Sequence, residues 1–258
     1  MIFITGDTHS EMHRFSMKSF PEQKSLTKED FLIVCGDFGC VWEKTESRQE
    51  YNILNELEKR SFTTLFVDGN HENHERLNAM PVEIWRGGKV HRVRESVIHL
   101  MRGQVYDIDG IKLFTFGGAQ SNDIADGIFD PDAYGGAESR SCRDELRLWR
   151  RKGKQFRIKG KTWWAEELPS EAEIAEARQN LMKAGKSVDY IITHCLPAST
   201  VNFAGLCGIV QNDQFMDYLE ELKIKVHYRK WFAGHYHVNL NIPADKTIIL
   251  YEQIIRIV

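Results

Sequence analysis

No run of about 18 apolar residues occurs in the 258-residue sequence, so no transmembrane helix is expected. A secretory leader would place a basic segment and an apolar stretch ahead of the mature domain. None is expected here, because a candidate functional residue already stands at Asp7. Cysteine is scarce and odd in number: Cys35, Cys40, Cys142, Cys195 and Cys207 follow no paired spacing. That argues against a disulfide framework and for reduced thiols in a cytoplasmic protein. Internal repeats, heptad runs and low-complexity linkers are missing too. The apolar and charged fractions are ordinary, and the chain reads as a single domain over 1–258 with an elaboration at about 119–169.

What is present is a set of five apolar, strand-like runs, each ending in side chains that bind metal ions. Ile2-Phe3-Ile4-Thr5 leads to Asp7 and His9, and Phe31 to Cys35 leads to Gly36-Asp37. Thr64 to Val67 leads to Asp68-Gly69-Asn70-His71-Glu72, Tyr190 to Thr193 leads to His194, and Trp231 to Ala233 leads to Gly234-His235-Tyr236-His237. Ligands of open α/β sheets bind beyond the carboxyl ends of the strands, so these groups are expected on one rim. Residues i and i+2 of an extended chain share a face, which lets Asp7/His9 and His235/His237 each offer two side chains to one site. Two Asp, one Asn and five His without a thiolate suit hard-to-borderline divalent cations. Eight groups exceed what one ion takes, which points to a two-metal centre. The plain alternative is a polar rim satisfied by its own hydrogen bonds. His13, His74, His91, His99 and His227 follow no ligand pattern and are assigned to core or surface.

Between these runs the chain alternates strand and helix. Helices are expected near Glu11–Lys18, over Glu50–Lys59 (Ile53, Leu54 and Leu57 on one face) and from Glu72 to Met80, stopped by Pro81. Strands are expected at Val97–Met101, Val105–Ile108 and Ile111–Phe116, the last two joined by the hairpin signal Asp109-Gly110. The pattern dissolves from Gly117 to about Pro169 except for a helix over Ala137–Arg151. Ser170-Glu171-Ala172-Glu173 has the form of a capping box for a helix closed by Gly185. A strand at Val188–Thr193, a helix at Asp213–Leu222 and strands near Trp231, Ile248 and Ile254 follow.

The ordered set Asp7-x-His9, Gly36-Asp37, Gly69-Asn70-His71-Glu72, His194 and Gly234-His235-x-His237 resembles the calcineurin-like metallophosphoesterases, over nearly the whole chain outside 119–169. The resemblance implies an α/β fold, a four-layer α/β/β/α sandwich with two central mixed sheets. It implies that Asp7, His9, Asp37 and His237 hold one metal. Asp37 would bridge to a second, held also by Asn70, His194 and His235, and His71 would act on the phosphate as general acid. The implied cofactors are two divalent cations (Mn, Fe or Zn, among which the donors do not choose). The implied reaction is hydrolysis of a phosphate ester by a metal-bound hydroxide.

The resemblance has two gaps. The protein-phosphatase branch of the family carries Asp and Arg where this chain has Cys40 and Val41. A partner that orients His71 and an Arg that grips phosphate are therefore not legible, and Glu72 is one candidate for the first role. A second enzymatic reading, a phosphodiesterase or nuclease, draws on segment 140–161, where ten Lys or Arg face only Asp144 and Glu145 in a chain of net charge −3. Arg140, Arg143, Arg147 and Arg151 would share one helical face, fit for nucleic acid or another polyanion; the bland reading is a solvated face. Trp163-Trp164 would either stack a flat leaving group or anchor the elaboration. A metallophosphoesterase-like scaffold without catalysis is the non-enzymatic reading.

Overall fold

The computed structural model describes residues 1–206 and 214–258. The Cys207 thiol and the expected helix start at Asp213 lie outside the described residues.

The strands Ile2–Thr5, Phe31–Cys35, Thr63–Val67 and Val97–Leu100 are buried along their whole length and pair in parallel in that order. Their unbroken apolar runs fit this, because a parallel strand is covered on both faces. Ile255–Arg256 adds antiparallel at one edge, and the hairpin Val82–Trp85/Gly88–Arg94 completes the seven-stranded sheet at the other. A second mixed sheet of six strands runs in the order Leu240–Ile242, Thr247–Ile249, Lys230–Ala233, Tyr190–Thr193, Ile111–Phe116, Gln104–Ile108.

Three apolar clusters define the layers. Ile4, Ile33 and Leu65 of the first sheet meet Leu113, Ile192 and Phe232 of the second, so the sheets pack face to face. Outside the first sheet, Phe3, Leu32 and Phe66 lie under Leu54 and Leu57 of helix Arg48–Glu58. Outside the second, Phe114, Ile191 and Trp231 receive Ile174 and Leu181 of helix Glu171–Lys183, and Phe215 and Leu219 of helix Gln214–Lys225. The order is α/β/β/α, as the resemblance implied. No helix among the described residues is long and apolar enough to cross a membrane.

Local signals act as expected where they are strong. Ser170 and Glu173 form both bonds of the capping box. Asp109 and Gly110 take φ of 54° and 85°, placing Ile108 opposite Ile111. Elsewhere tertiary contacts win. The helix expected near Glu11–Lys18 is only a 3-10 turn, His13–Phe15, because Arg14 and Phe15 turn inward and the Arg14 guanidinium donates to the backbone oxygens of Gly6, Asp7 and Tyr251. The helix expected from Glu72 shrinks to His74–Asn78, with Asn73 as its cap. The edge hairpin was hidden because its turn is Arg86-Gly87, at φ 49° and 92°, rather than the usual Asn-Gly or Asp-Gly.

Within 119–169 a two-residue parallel pair joins Ile128–Phe129 to Arg157–Ile158, and helix Arg140–Arg151 starts after its cap Ser139. Trp149 packs edge-on against Phe129 and Phe156, and Cys142 is buried. Arg140, Arg143, Arg147 and Arg151 are all exposed.

Candidate metal centre

The rim segments after Ile2–Thr5, Phe31–Cys35 and Lys230–Ala233 turn through left-handed backbone. His9, Asp37, His235 and His237 adopt φ of 44°, 46°, 69° and 50°. Non-glycine residues rarely occupy this left-handed region, and clusters of them mark sites whose surroundings hold them there. Glycine is required where the turns touch: a Cβ on Gly36 would run into the His194 ring, and one on Gly69 into the Asp37 carboxylate.

The turns bring the candidate ligands together. Asp7, Asp37 and His194 form one group, and His9, Asp37 and His237 another, each with ligand atoms within 4.8 Å of one another. Asp37 is common to both. Its Oδ1 lies 3.2 Å from His194 Nε2, and its Oδ2 lies 3.7 Å from His9 Nε2. Asn70 Oδ1 is 3.3 Å from His194 Nε2, and the His235 ring lies edge-on to His194 at 4.9 Å. The Nε2 atoms of His9 and His237 face each other at 3.2 Å, and His237 stacks on Tyr251. The Asp7/Asp37/His194 side is buried, and His237 is exposed.

These donors fit divalent cations. Asp7 Oδ2 is buried without a hydrogen-bond partner, which is costly for a carboxylate oxygen. Burial raises the Asp7 pKa to about 6, against the pull of His194. Burial would also raise Asp37, but the neighbouring His194 charge and hydrogen bond hold it well below the usual carboxylate range. Burial alone would lower His194, yet Asp37 and Asp7 outweigh it and raise the pKa to about 10. A proton on His194 thus stands where a cation would neutralise two buried carboxylates. His194 Nδ1 donates to the Cys35 carbonyl at 2.8 Å, which leaves Nε2 as the ligating atom once that proton is lost. His235 is driven to about 3, chiefly by burial and then by His194, so its imidazole is neutral and able to ligate.

His71 sits beside this centre. Its backbone N–H donates to Asp37 Oδ1 at 2.9 Å, its ring lies edge-on to His9 at 4.8 Å, and Trp42 stacks on it at 5.5 Å. Its Nε2 is 2.7 Å from Nη2 of Arg157. Arginine has donors only, so this ring nitrogen accepts. Burial first, and then the charges of Arg157 and the neighbouring histidines, lower His71 to about 4. Glu72 does not orient His71: its two oxygens accept from the backbone N–H groups of Gly39 and Gly69 and tie two rim turns together.

The sequence had not singled out Arg157, Trp42 or the network behind the rim. Asp68 accepts from Nε and Nη2 of Arg102 and lies 3.2 Å from His99 Nε2, with His74 and His91 packed alongside. Arg102 also donates to the carbonyl of Glu166, which links the elaboration to Asp68, just beyond strand Thr63–Val67. Trp164 is buried against Trp42 and anchors the elaboration there, while Trp163 donates to Glu167 within the elaboration.

A sandwich of two mixed sheets with an aspartate- and histidine-rich rim is the frame of the metallophosphoesterases. The sequence model of the calcineurin-like phosphoesterase family matches residues 1–239, and the chain belongs to that family. Among curated proteins it is similar to lariat debranching enzyme A of Xenopus laevis, 26% identical over 147 residues. The match takes in 52% of this chain but spans only 26% of that protein's length. Among solved structures, phosphopantetheinyl hydrolase of Mycobacterium tuberculosis is similar at a TM-score of 0.43 and 13% identity, covering 97% of this chain and 87% of that one.

Proposed function

We propose that the chain is a phosphoester hydrolase working with two divalent cations. The observation that carries this reading is Asp37, one buried carboxylate common to two ligand groups. Asp37 with His9 and His237 would hold one cation, and Asp37 with Asn70, His194 and His235 the other; Asp7, which the resemblance assigns to the first, groups with Asp37 and His194 in the metal-free chain. Divalent cations, when bound, supply a water that ionises near neutral pH and neutralise charge on a phosphoryl group. Manganese, iron and zinc all suit these donors.

The chain's own residues supply the rest. Burial at the strand ends excludes bulk water from Asp7, Asp37 and His194, which strengthens every charge interaction there. His71, held by its backbone bond to Asp37 and by Trp42, would hand a proton to the leaving oxygen. Its ring is neutral in the substrate-free chain, and an anionic phosphate arriving beside it favours the protonated form. The proton that His71 would give to the leaving oxygen is taken up from solvent as the anion binds.

One observation favours a diester or polyanionic substrate over a small monoester: the exposed arginine face of helix Arg140–Arg151. The helix is packed through Trp149 on Phe156, next in sequence to Arg157 at the rim. A panel of phosphomonoesters, dinucleotides, cyclic nucleotides and short oligonucleotides with added manganese tests both readings. Hydrolysis of none of them by metal-loaded protein would sink the hydrolase reading. Turnover confined to small monoesters would sink the polyanion.

A further inference from the structure

Arg157 comes from the elaboration, which carries none of the rim motifs, yet its side chain ends at the rim. Only 4% of the residue is exposed. Nε donates to Asp123 Oδ1 at 2.6 Å, and Nη1 donates to the Asn70 carbonyl at 2.8 Å and more weakly to Thr162 at 3.4 Å. Nη2 rests on His71 Nε2. The first bonds fix the guanidinium plane from behind. Among the described residues the last leaves one N–H of Nη2 uncommitted, and it offers a replaceable partner, since a neutral imidazole nitrogen is a weaker acceptor for a cation than an anionic oxygen. Position 41, where the protein-phosphatase branch carries an arginine, is a buried valine here.

We propose that Arg157 grips the phosphoryl group of the bound substrate, exchanging its contact with His71 Nε2 for a phosphoryl oxygen. This rests on the hydrolase reading above and deepens it. The elaboration then supplies a catalytic residue: Arg102 docks it through the Glu166 carbonyl, Glu167 ties its two ends together, Asp123 aims the guanidinium, and the anion recognised is the phosphoryl group itself rather than any leaving group. With Nε and Nη1 committed, Nη2 is the donor that meets the phosphoryl group, through a charge-assisted hydrogen bond.

The test is calorimetric titration of inorganic phosphate into manganese-loaded protein, comparing the unaltered chain with Arg157→Gln and Glu167→Gln, with melting temperatures taken in parallel. Glu167 accepts from Ser121 and Trp163, so its substitution loosens the elaboration without removing Arg157. Arg157→Gln should weaken phosphate binding by about tenfold or more, the loss of a charge-assisted hydrogen bond. Glu167→Gln should lower the melting temperature but hold phosphate affinity within about twofold. Equal weakening in both variants would show that Arg157 only docks the elaboration and would overturn the proposal. So would unchanged affinity in Arg157→Gln, or metal-loaded wild type that binds no phosphate. Wild-type protein that takes up no metal would overturn the hydrolase reading as well.

Discussion

Nε2 of His194 lies 3.2 Å from Oδ1 of Asp37, with both side chains withdrawn from solvent. Two carboxylates and an imidazole shut away together need positive charge. Without a metal that charge is a proton on the ring, which explains why His194 is raised to about 10 while Asp37 is held low.

The metal-free chain should therefore lose stability as pH rises. His194 binds its proton more tightly folded than unfolded, where its ordinary value is near 6.5. Its contribution is complete below about pH 6.5 and disappears as pH climbs through about 10. Asp7, raised to about 6 from 3.8, adds a smaller loss of the same sign at lower pH. Melting curves of chelator-treated protein should fall between about pH 6.5 and 10, and His194→Gln should flatten that fall. The same slope in His194→Gln would assign the proton elsewhere.

His71→Ala should leave metal content intact and cut turnover of alkyl phosphate esters by roughly 10²-fold or more. Activated aryl esters, whose leaving groups need little protonation, should lose much less. Equal losses for both ester kinds would remove His71 from the proton-donor role.

The arginine face of helix Arg140–Arg151 should act at a distance. Replacing Arg143, Arg147 and Arg151 by Gln should raise KM for oligonucleotides, flatten its dependence on salt and spare a small monoester, because steering by exposed charge is screened over a Debye length. An unaltered KM and salt slope for every anion would make this a solvated face.

Most of the rim was legible because its signals are local. A strand, a glycine and a ligand occupy seven consecutive residues at Phe31 to Asp37, and the strand ends then bring the groups together. The two gaps at Cys40 and Val41 were legible as gaps, but not their remedy. Arg157 touches His71 across 86 positions of sequence, and among ten basic residues nothing marked it as the one turned inward. Glu72 shows the opposite error: its place beside His71 in the sequence made it a candidate partner, whereas its short side chain folds back onto the backbone of Gly39 and Gly69. The edge hairpin was missed for the same kind of reason, its Arg86-Gly87 turn carrying no side-chain signature.

The shared role proposed for Asp37 is the centre of the proposed mechanism, and metal counting tests it most directly. Protein reconstituted with excess manganese and freed of loose ions should carry about two metals per chain by elemental analysis. Asp37→Asn should weaken both sites together, whereas His237→Ala, which touches only one ligand group, should weaken one. Full retention of both metals in Asp37→Asn, or loss of only one, would contradict the assignment of Asp37 as the carboxylate common to the two sites.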